Sequence, residues 1–186
     1  GTVEVAGDLY QSVVGLTGHI NRAADVARAI DAILLSATLA TTAAAVVIYA
    51  EGIAHVNAAP GEGYAYRITR AMTAGAAHAA AVATGVLTVN LAPGEQVQVA
   101  LTTGSNITFT RNRYHQVLLT AAPPTGGLAG VSPGVAAADR FYWSQVKGYA
   151  AVLGDGTLLE GLPVMASIGT AGAVESLKRR VRTGVT

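Results

Sequence analysis

Glycine-containing turns constrain the fold of this chain more than any other feature of its sequence. Between residues 131 and 175, short apolar segments alternate with such turns. Residues 141–147 alternate large and polar side chains, Gly148 interrupts them, and residues 154–156 are Gly-Asp-Gly, which supplies the positive φ angles of a tight hairpin. Segments this short and this regularly interrupted are typical of strands. The pattern predicts a β-meander.

Charged side chains are scarce in this chain. Its 12 basic and 11 acidic residues make up 12% of the sequence, about half of the roughly 25% that is usual in globular domains. A monomer would have to expose much aliphatic surface to water, whereas the buried parts of protein interfaces are depleted of charge. The composition therefore indicates an obligate oligomer or a protein that lies on a larger assembly. An alanine-rich host proteome is the alternative explanation.

Charge and cysteine content argue against several classes of function. The net charge of +1 gives no field that would recruit nucleic acid, and without cysteine there are no disulfides and no thiolate chemistry. Residues 32–50 are uncharged, but polar hydroxyl side chains interrupt their aliphatic content, so we expect no membrane span. Residues 1–11 lack the basic and apolar regions of a secretory signal. We expect a protein that is made in the cytoplasm.

The expected fold is mainly β, as a sandwich or a barrel-like meander, with one N-terminal helix. Asn21 stands where a helix N-cap would, and apolar residues recur at helical spacing after it, which predicts a helix over residues 22–35. Residues 70–84 are alanine-rich, although Gly75 near their centre costs about 1 kcal/mol relative to alanine. If that segment is also helical, the fold is α+β.

The expected domain organisation has three parts. Residues 1–20 form an N-terminal arm, residues 21–186 form a single domain that is β-rich over 44–175, and residues 176–186 form a basic tail within it. A length of 186 residues is that of one domain, or of one domain with an arm.

A short repeat marks two equivalent turns. Residues 56–62 recur in similar form as residues 89–95, and each copy leads into an alternating segment. Proline fixes φ at the second position of a type II turn, and glycine supplies positive φ at the third. We therefore expect turns at Pro60-Gly61 and at Pro93-Gly94, each within a hairpin.

An ordered series of motifs runs through the second half of the chain. It consists of aromatic-Trp-x-Gln-x-Lys-Gly, an apolar strand ending in Asp-Gly, Gly-x-Pro-apolar, and Ser-x-x-Thr-Ala-Gly-Ala. These motifs fall on Tyr142, Trp143, Gln145, Lys147, Gly148, Asp155, Gly156, Gly161, Pro163, Ser167, Thr170, Ala171, Gly172 and Ala173. With the upstream segments 106–107, 117–119 and 130–133, this order is similar to that of the head decoration, or cement, proteins of tailed phages.

The resemblance implies a non-enzymatic virion protein on the capsid exterior, made in the host cytoplasm. The implied partners are the major capsid protein and further copies of the chain, as a homotrimer, with no cofactor. In that family such residues form a shell-binding scaffold, so none is expected to be catalytic. The candidate interface residues in this chain are Tyr142, Trp143, Lys147, Tyr149, Arg179 and Arg180.

The basic tail, which contains Arg179 and Arg180, has three interpretations. It is a solvated end, a strap that docks on an acidic capsid surface, or a nucleic-acid contact. Its few charges would neutralise only a few phosphates, and such binding would be weak and lost with salt. Nucleic acid is therefore not an expected partner.

The sequence offers no strong signal for catalysis or metal binding. The four histidines, His19, His55, His78 and His115, are isolated in sequence and show no metal-ligand spacing. Asp155 with Glu160 is the nearest approach to the carboxylate pair of a glycosidase, although both residues are also typical of turns. We expect no enzyme and no metal site.

A carbohydrate-binding module of a phage tail or baseplate is the alternative function. Tyr142, Trp143 and Tyr149 would then form a platform on which sugar rings stack. The competing interpretation of the same side chains is that they anchor the core or a subunit interface.

Overall fold

The computed structural model describes residues 5–40, 44, 48–69, 85–137 and 140–177. These residues form strands, turns and bends, with no helix among them, so the predicted mainly β fold is confirmed. The strands are β1 (Leu9–Gln11), β2 (Arg22–Ala23), β3 (Leu34–Thr38), β4 (Ile53–Ala58), β5 (Ala65–Arg67), β6 (Val86–Asn90), β7 (Asn106–Thr110), β8 (Leu118–Leu119), β9 (Leu128–Val131), β10 (Val164–Ala166) and β11 (Val174–Ser176). No described segment is a helix with the length and apolar character needed to cross a membrane.

Contacts between residues group the chain into two compact units. The central unit comprises residues 15–115, and the terminal unit comprises residues 1–14 together with 116–186. Strand β1 lies within the segment expected to be an arm, and it is the middle strand of the sheet β8-β1-β9 in the terminal unit. The division into an arm over 1–20 and one domain over 21–186 stays a prediction.

The strands of the central unit close into a barrel-like ring. One sheet has the order β2-β7-β4-β5, and the other pairs β3 with β6. Two isolated antiparallel bridges, Ile68 with Leu91 and Ala24 with Ala37, connect the ends of these sheets. In the described part of this unit, neighbouring strands therefore follow one another around the ring, with the two sheets joined through these single bridges.

Alternating side chains fill the interior of this ring. In β4, Ala54 and Val56 are buried, whereas Ile53 and Asn57 on either side of them are exposed and His55 between them is half-buried, as expected for a strand with one face on a core. Strands β6 and β7 alternate in the same way. The buried cluster comprises Ala24, Leu35, Ala37, Leu39, Ala44, Tyr49, Ala54, Val56, Tyr66, Ile68, Leu87, Val89, Leu91, Val97, Leu101, Ile107 and Phe109.

The prediction of a helix over residues 22–35 is wrong. Its two ends are β2 and the start of β3, and the chain between them pairs with residues 97–101. Arg28 and Leu101 exchange two backbone hydrogen bonds, of 2.9 and 2.8 Å, and the Asp31 N–H donates to the Val97 carbonyl. Backbone groups that a helix would satisfy internally are thus satisfied by another segment. Residues 70–84, the other candidate helix, lie outside the described residues.

The predicted Pro-Gly turns are confirmed at both copies of the repeat, but the predicted hairpin only at the first. Strand β4 pairs with β5 across Pro60-Gly61, whereas β6 before Pro93-Gly94 pairs with β3, and the chain after this turn pairs with residues 28–32. Gly61 and Gly94 have φ angles of 87° and 86°, the left-handed region that glycine enters without a steric penalty. At Gly61 the space is also tight, because an added Cβ would collide with the Leu101 side chain. The glycine there serves both the turn and the packing beneath it.

The terminal unit has a much smaller core. Its buried apolar cluster consists of Leu9, Val131, Ala166 and Val174, with Val152 packed against it. Strands β10 and β11 form a hairpin with aligned residues. The remaining part of the predicted meander is extended chain with isolated bridges, not continuous ladders.

Candidate functional site

Large aromatic side chains project from the terminal unit into solvent. Phe141, Trp143 and Tyr149 have exposed fractions of 107%, 90% and 103%. We call residues 141–149, which contain all three, the aromatic segment. Side chains of this size normally bury most of their surface in a fold or an interface. The aromatic segment is therefore the candidate interaction surface.

The aromatic segment is held on the sheet by strand-like pairing. Gln145 and Val131 of β9 form an antiparallel bridge, in which the two backbone hydrogen bonds measure 2.8 and 3.0 Å. Side chains alternate across an extended chain. Tyr142 accordingly points to the opposite side from Phe141 and Trp143, and its ring packs on Tyr10 with centroids 5.6 Å apart.

Gly130 allows the aromatic segment to lie close to β9. A Cβ at this position would collide with the Ser144 hydroxyl and would lie 2.8 Å from the Gln145 carbonyl oxygen. Its φ of 141° is also one that L-residues rarely adopt. Any larger residue here would push the segment off the sheet.

The side chain of Gln145 fixes the turn that carries Tyr149. Its Nε2 donates to the carbonyl oxygen of Tyr149 and, at 3.4 Å, to that of Lys147. Gly148, with φ of 92°, allows the chain to reverse between these two acceptors. Lys147 lies in this turn and its side chain is exposed.

An open cleft of about 420 Å³ adjoins the aromatic segment within the terminal unit. Three stretches of chain form its walls: Ala6-Gly7, residues 131–133, and residues 149–153, with Gln145 completing the lining. Backbone hydrogen bonds tie the stretches together, from Gly7 N to the Ser132 carbonyl at 2.8 Å and from Leu153 N to the Gly7 carbonyl at 2.9 Å. The lining is mostly alanine, valine, proline and leucine carbon.

Asp155, one member of the carboxylate pair considered above, has a structural partner. Its Oδ2 accepts a hydrogen bond of 2.5 Å from the Ser167 hydroxyl. The same hydroxyl oxygen accepts the backbone N–H groups of Gly169 and Thr170, at 3.0 and 2.9 Å. Asp155 and Ser167 therefore hold the turn between β10 and β11. Glu160 lies on an exposed turn and makes no hydrogen bond to this network in the described chain.

The histidines that the structure describes do not converge. His19 is fully buried in the central unit, with Nδ1 2.5 Å from the hydroxyl of Tyr49, while His55 lies on β4 and His115 on the turn after β7. His78 lies outside the described residues. Across the described ranges, no three histidine, aspartate or glutamate side chains gather closely enough to hold a metal ion.

The candidate interface residues differ in how far the structure exposes them. Trp143, Lys147 and Tyr149 are exposed, whereas Tyr142 is half-buried against Tyr10. Arg179 and Arg180 lie outside the described residues.

The sequence prediction did not include Phe141, the most exposed of the three aromatic residues. The signal was present, because a period of two places residue 141 on the same side as residue 143 and places residue 142 on the other. By contrast, nothing in the sequence indicated the support given by Gly130 and the Gln145 side chain, since both depend on segments distant along the chain.

Comparison of the chain with protein-family models, with curated proteins and with solved structures finds no significant match in any of the three.

Proposed function

We propose that this protein is a structural component of a phage virion that binds the outer surface of the capsid and has no enzymatic role. It is made in the host cytoplasm and assembles on the head, where it bridges major capsid subunits and stabilises the shell. The observation that carries the proposal is the exposure of Phe141, Trp143 and Tyr149 on a unit with a very small core. The resemblance of the second half of the chain to decoration proteins supplies the identity of the assembly.

The exposed aromatic area is of the size that a specific interface needs. An aromatic side chain buries roughly 150–250 Å², so Phe141, Trp143 and Tyr149 together offer about 600 Å². A standard interface buries about 800 Å² on each partner. The exposed side chain of Val146, in the same segment, adds to that area.

The terminal unit also has little to stabilise it without a partner. Its buried apolar cluster is a fraction of the size of the cluster that fills the central unit. At about 25 cal/mol per Å², covering 800 Å² of apolar surface contributes a gross term of about 20 kcal/mol before the costs of association. Burial against sister subunits of a homotrimer and against the major capsid protein would supply that term, and repetition around the shell would multiply it.

The charged side chain of Lys147, within the aromatic segment, suits a docking role. Lys147 is exposed in the turn between Trp143 and Tyr149, where it would meet acidic groups at the rim of an interface. Rim charges of this kind steer encounter more than they add affinity. The tail residues Arg179 and Arg180 would act in the same direction as a strap on an acidic capsid surface.

Co-sedimentation with expanded empty heads tests the proposal. The wild-type protein is expected to sediment with the heads and to raise the temperature at which they break. The double variant Trp143→Ala/Tyr149→Ala is expected to lose both effects, whereas Tyr114→Ala, which removes an exposed tyrosine of the central unit, keeps them. A wild-type protein that neither binds nor protects heads would show that it is not a decoration protein.

A carbohydrate-binding module of a tail or baseplate is the second candidate. The exposure of Trp143 and Tyr149 favours it, since sugar rings stack on open aromatic faces. The proposed platform loses Tyr142, whose ring is occupied by Tyr10. Glycan binding that Trp143→Ala abolishes while the oligomer stays intact, in a protein that does not bind heads, would favour this function over the first.

A further inference from the structure

The outer edge of β10 has no strand beside it in the described part of the chain. Strand β10 pairs with β11 on one side, and no strand adjoins its other side. Ser167 N donates to the Ala173 carbonyl at 2.9 Å, so the odd-numbered residues of this strand direct their main-chain groups toward β11. The N–H and C=O groups of Val164 and Ala166 therefore face away from β11.

These outward groups make no hydrogen bond within the described ranges. Val164 is 53% exposed, whereas Ala166 is only 7% exposed and its side chain belongs to the small core. Main-chain groups that are shielded from water are nearly always paired. An open edge is also a template for another strand, and proteins commonly protect such an edge with charged side chains. Residues 161–168 contain no charged side chain.

The side chains along this edge form an apolar pattern that is symmetric about Met165. Leu162 and Ile168 lie three residues before and after it, and they are 46% and 60% exposed. Val164 and Ala166 lie one residue before and after it. When two copies of the edge run antiparallel with Met165 opposite Met165, the open groups of Val164 meet those of Ala166, and Leu162 meets Ile168.

We infer that the outer edge of β10 pairs with the same edge of a second copy of the chain, antiparallel and with Met165 on the two-fold axis. Each N–H and C=O group left open on one copy then has a partner on the other. The two β10-β11 hairpins become one four-stranded sheet. A foreign strand would satisfy the same main-chain groups, but it would not account for the apolar symmetry about Met165.

This contact goes beyond the proposed function and does not rest on it. A two-fold contact joins copies in pairs, so it differs from the contact that would close the homotrimer. In a decoration protein it would join neighbouring trimers on the shell. The contact involves one short strand and its flanking residues, so a covalent readout suits its small size.

Disulfide trapping tests the contact in the purified protein. The chain contains no cysteine, so one introduced cysteine can link only two copies. Across the proposed axis, the two residues at position 165 form a non-hydrogen-bonded pair with Cα atoms about 4.5 Å apart, a distance that a disulfide spans. In a glutathione redox buffer, Met165→Cys is expected to form covalent dimers at least about tenfold faster than Tyr114→Cys, because pairing raises the effective concentration of its thiols. Position 114 is an exposed site of the central unit.

Val164→Cys tests the register of the pairing. The two residues at position 164 would lie roughly 8 Å apart across the axis, beyond the span of a disulfide. Position 164 is more exposed than position 165, at 53% against 38%, so accessibility alone would favour linkage at 164. Val164→Cys is nevertheless expected to link no faster than Tyr114→Cys.

Two charge substitutions in the Met165→Cys protein test the contact between Leu162 and Ile168. Leu162→Lys and Ile168→Glu each place a charge against an aliphatic side chain of the second copy, and each alone is expected to slow linkage about tenfold. Combined in one chain, they place lysine opposite glutamate twice across the axis and should restore most of the rate. Within one chain the two positions are roughly 20 Å apart along the strand direction, too far for this pair to form internally.

Three results would overturn the inference: linkage of Met165→Cys no faster than that of Tyr114→Cys, equally fast linkage of Val164→Cys, or no recovery in the combined charge variant. An edge that accepts a strand of the capsid protein instead would give the first of these results. Circular dichroism verifies that each variant is folded, and Leu162→Arg with Ile168→Asp replaces the first charge pair if that pair does not fold. The measurements contain no capsid, so their failure and the failure of head binding are independent results.

Discussion

Tyr142 packs its ring against Tyr10, with centroids 5.6 Å apart and planes tilted by 55°. Tyr10 lies in the central strand of its sheet and is 2% exposed. This pair therefore anchors the aromatic segment to the terminal unit. Because neighbours in an extended chain point to opposite sides, the same anchoring directs Trp143 to solvent.

Substitution of these two adjacent residues is expected to have different effects. Tyr142→Ala removes a ring packed on the sheet and should lower the free energy of unfolding by about 2–4 kcal/mol. Trp143→Ala removes an exposed ring and should change it by less than about 0.5 kcal/mol. Denaturant unfolding at a concentration where the wild type is monomeric measures both. Equal losses would contradict the opposite orientation of the two side chains.

A double-mutant cycle isolates the contact itself. Tyr10→Ala, Tyr142→Ala and the double variant should give a coupling energy of about 0.5–1.5 kcal/mol, the range for aromatic pairs. Additive losses would mean that the two rings contribute independently, in disagreement with the packing.

Gly130 should be intolerant of even one methyl group. Gly130→Ala places a Cβ against the Ser144 hydroxyl and the Gln145 carbonyl, at a φ of 141°, and should cost about 1–3 kcal/mol. Gly134→Ala is the matched control, because an added Cβ there meets nothing within 4 Å. Thermal unfolding compares the two variants. A neutral Gly130→Ala would mean that the segment is not held against β9.

The helical spacing after Asn21 shows why one part of the fold was mispredicted. Val26, Ile30 and Ile33 recur as one face of a helix would, yet all three are exposed. Asn21, the expected N-cap, has φ of 54°, and its N–H donates to the Thr108 hydroxyl at 2.8 Å. Pairing with distant strands overrides the local pattern here, and no local signal announces such pairing.

Turns and exposed residues were easier to predict, because their causes are local. Gly61 and Gly94 follow proline and adopt the positive φ that the turn type requires. The predicted turn at residues 154–156 is only partly of the expected kind. Gly156 has φ of 73°, but Asp155 is not in the left-handed region. The Asp155 carboxylate instead accepts a hydrogen bond from the Ser167 hydroxyl. Rules for turns consider only neighbouring residues and so do not predict this partner.

Ser167 should be more important for stability than its size suggests. It is almost fully buried and satisfies two backbone N–H groups and the Asp155 carboxylate. Ser167→Ala leaves these groups without that partner and should cost about 1–3 kcal/mol. Ser144→Ala, which removes only a 3.5 Å hydrogen bond, is the control and should cost little. The denaturant midpoints of Ser167→Ala and Ser144→Ala measure the two losses of stability. Similar midpoints for the two variants would contradict a structural role for the Asp155–Ser167 pair.

Asp8 should make the stability of the protein depend on pH at the acid end. Burial raises the pKa of the Asp8 carboxyl above its ordinary value near 3.8. A raised pKa in the folded state favours folding below the unfolded pKa, and that contribution is lost as the pH rises through the folded value. Asp8→Asn should therefore lose less stability than the wild type as the pH rises from about 3.9.

The exposed Asp25 provides the comparison for this effect. Asp25→Asn should follow the wild-type dependence on pH, because the substitution leaves Asp8 in place. Denaturant unfolding in steps from below pH 3.8 to neutral pH measures the three proteins. Parallel curves for Asp8→Asn and the wild type would show that Asp8 contributes no such term.

Tyr49 should have a corresponding effect at alkaline pH. Burial raises the pKa of the Tyr49 hydroxyl to about 12, while the Arg111 guanidinium acts in the opposite direction. The unfolded chain loses this proton near pH 10, so the contribution of Tyr49 to stability is present below pH 10 and is lost as the pH rises to about 12.

Tyr49→Phe should show a smaller loss of stability over that interval. Its stability below pH 10 should be about 1–3 kcal/mol lower than that of the wild type, because His19 Nδ1 loses a buried partner. Tyr114→Phe, at an exposed position, should follow the wild type throughout. Absorbance titration of the phenolate provides an independent measurement, since the step near pH 12 expected of Tyr49 should be missing from Tyr49→Phe. Its persistence in that variant would assign the high pKa to another tyrosine.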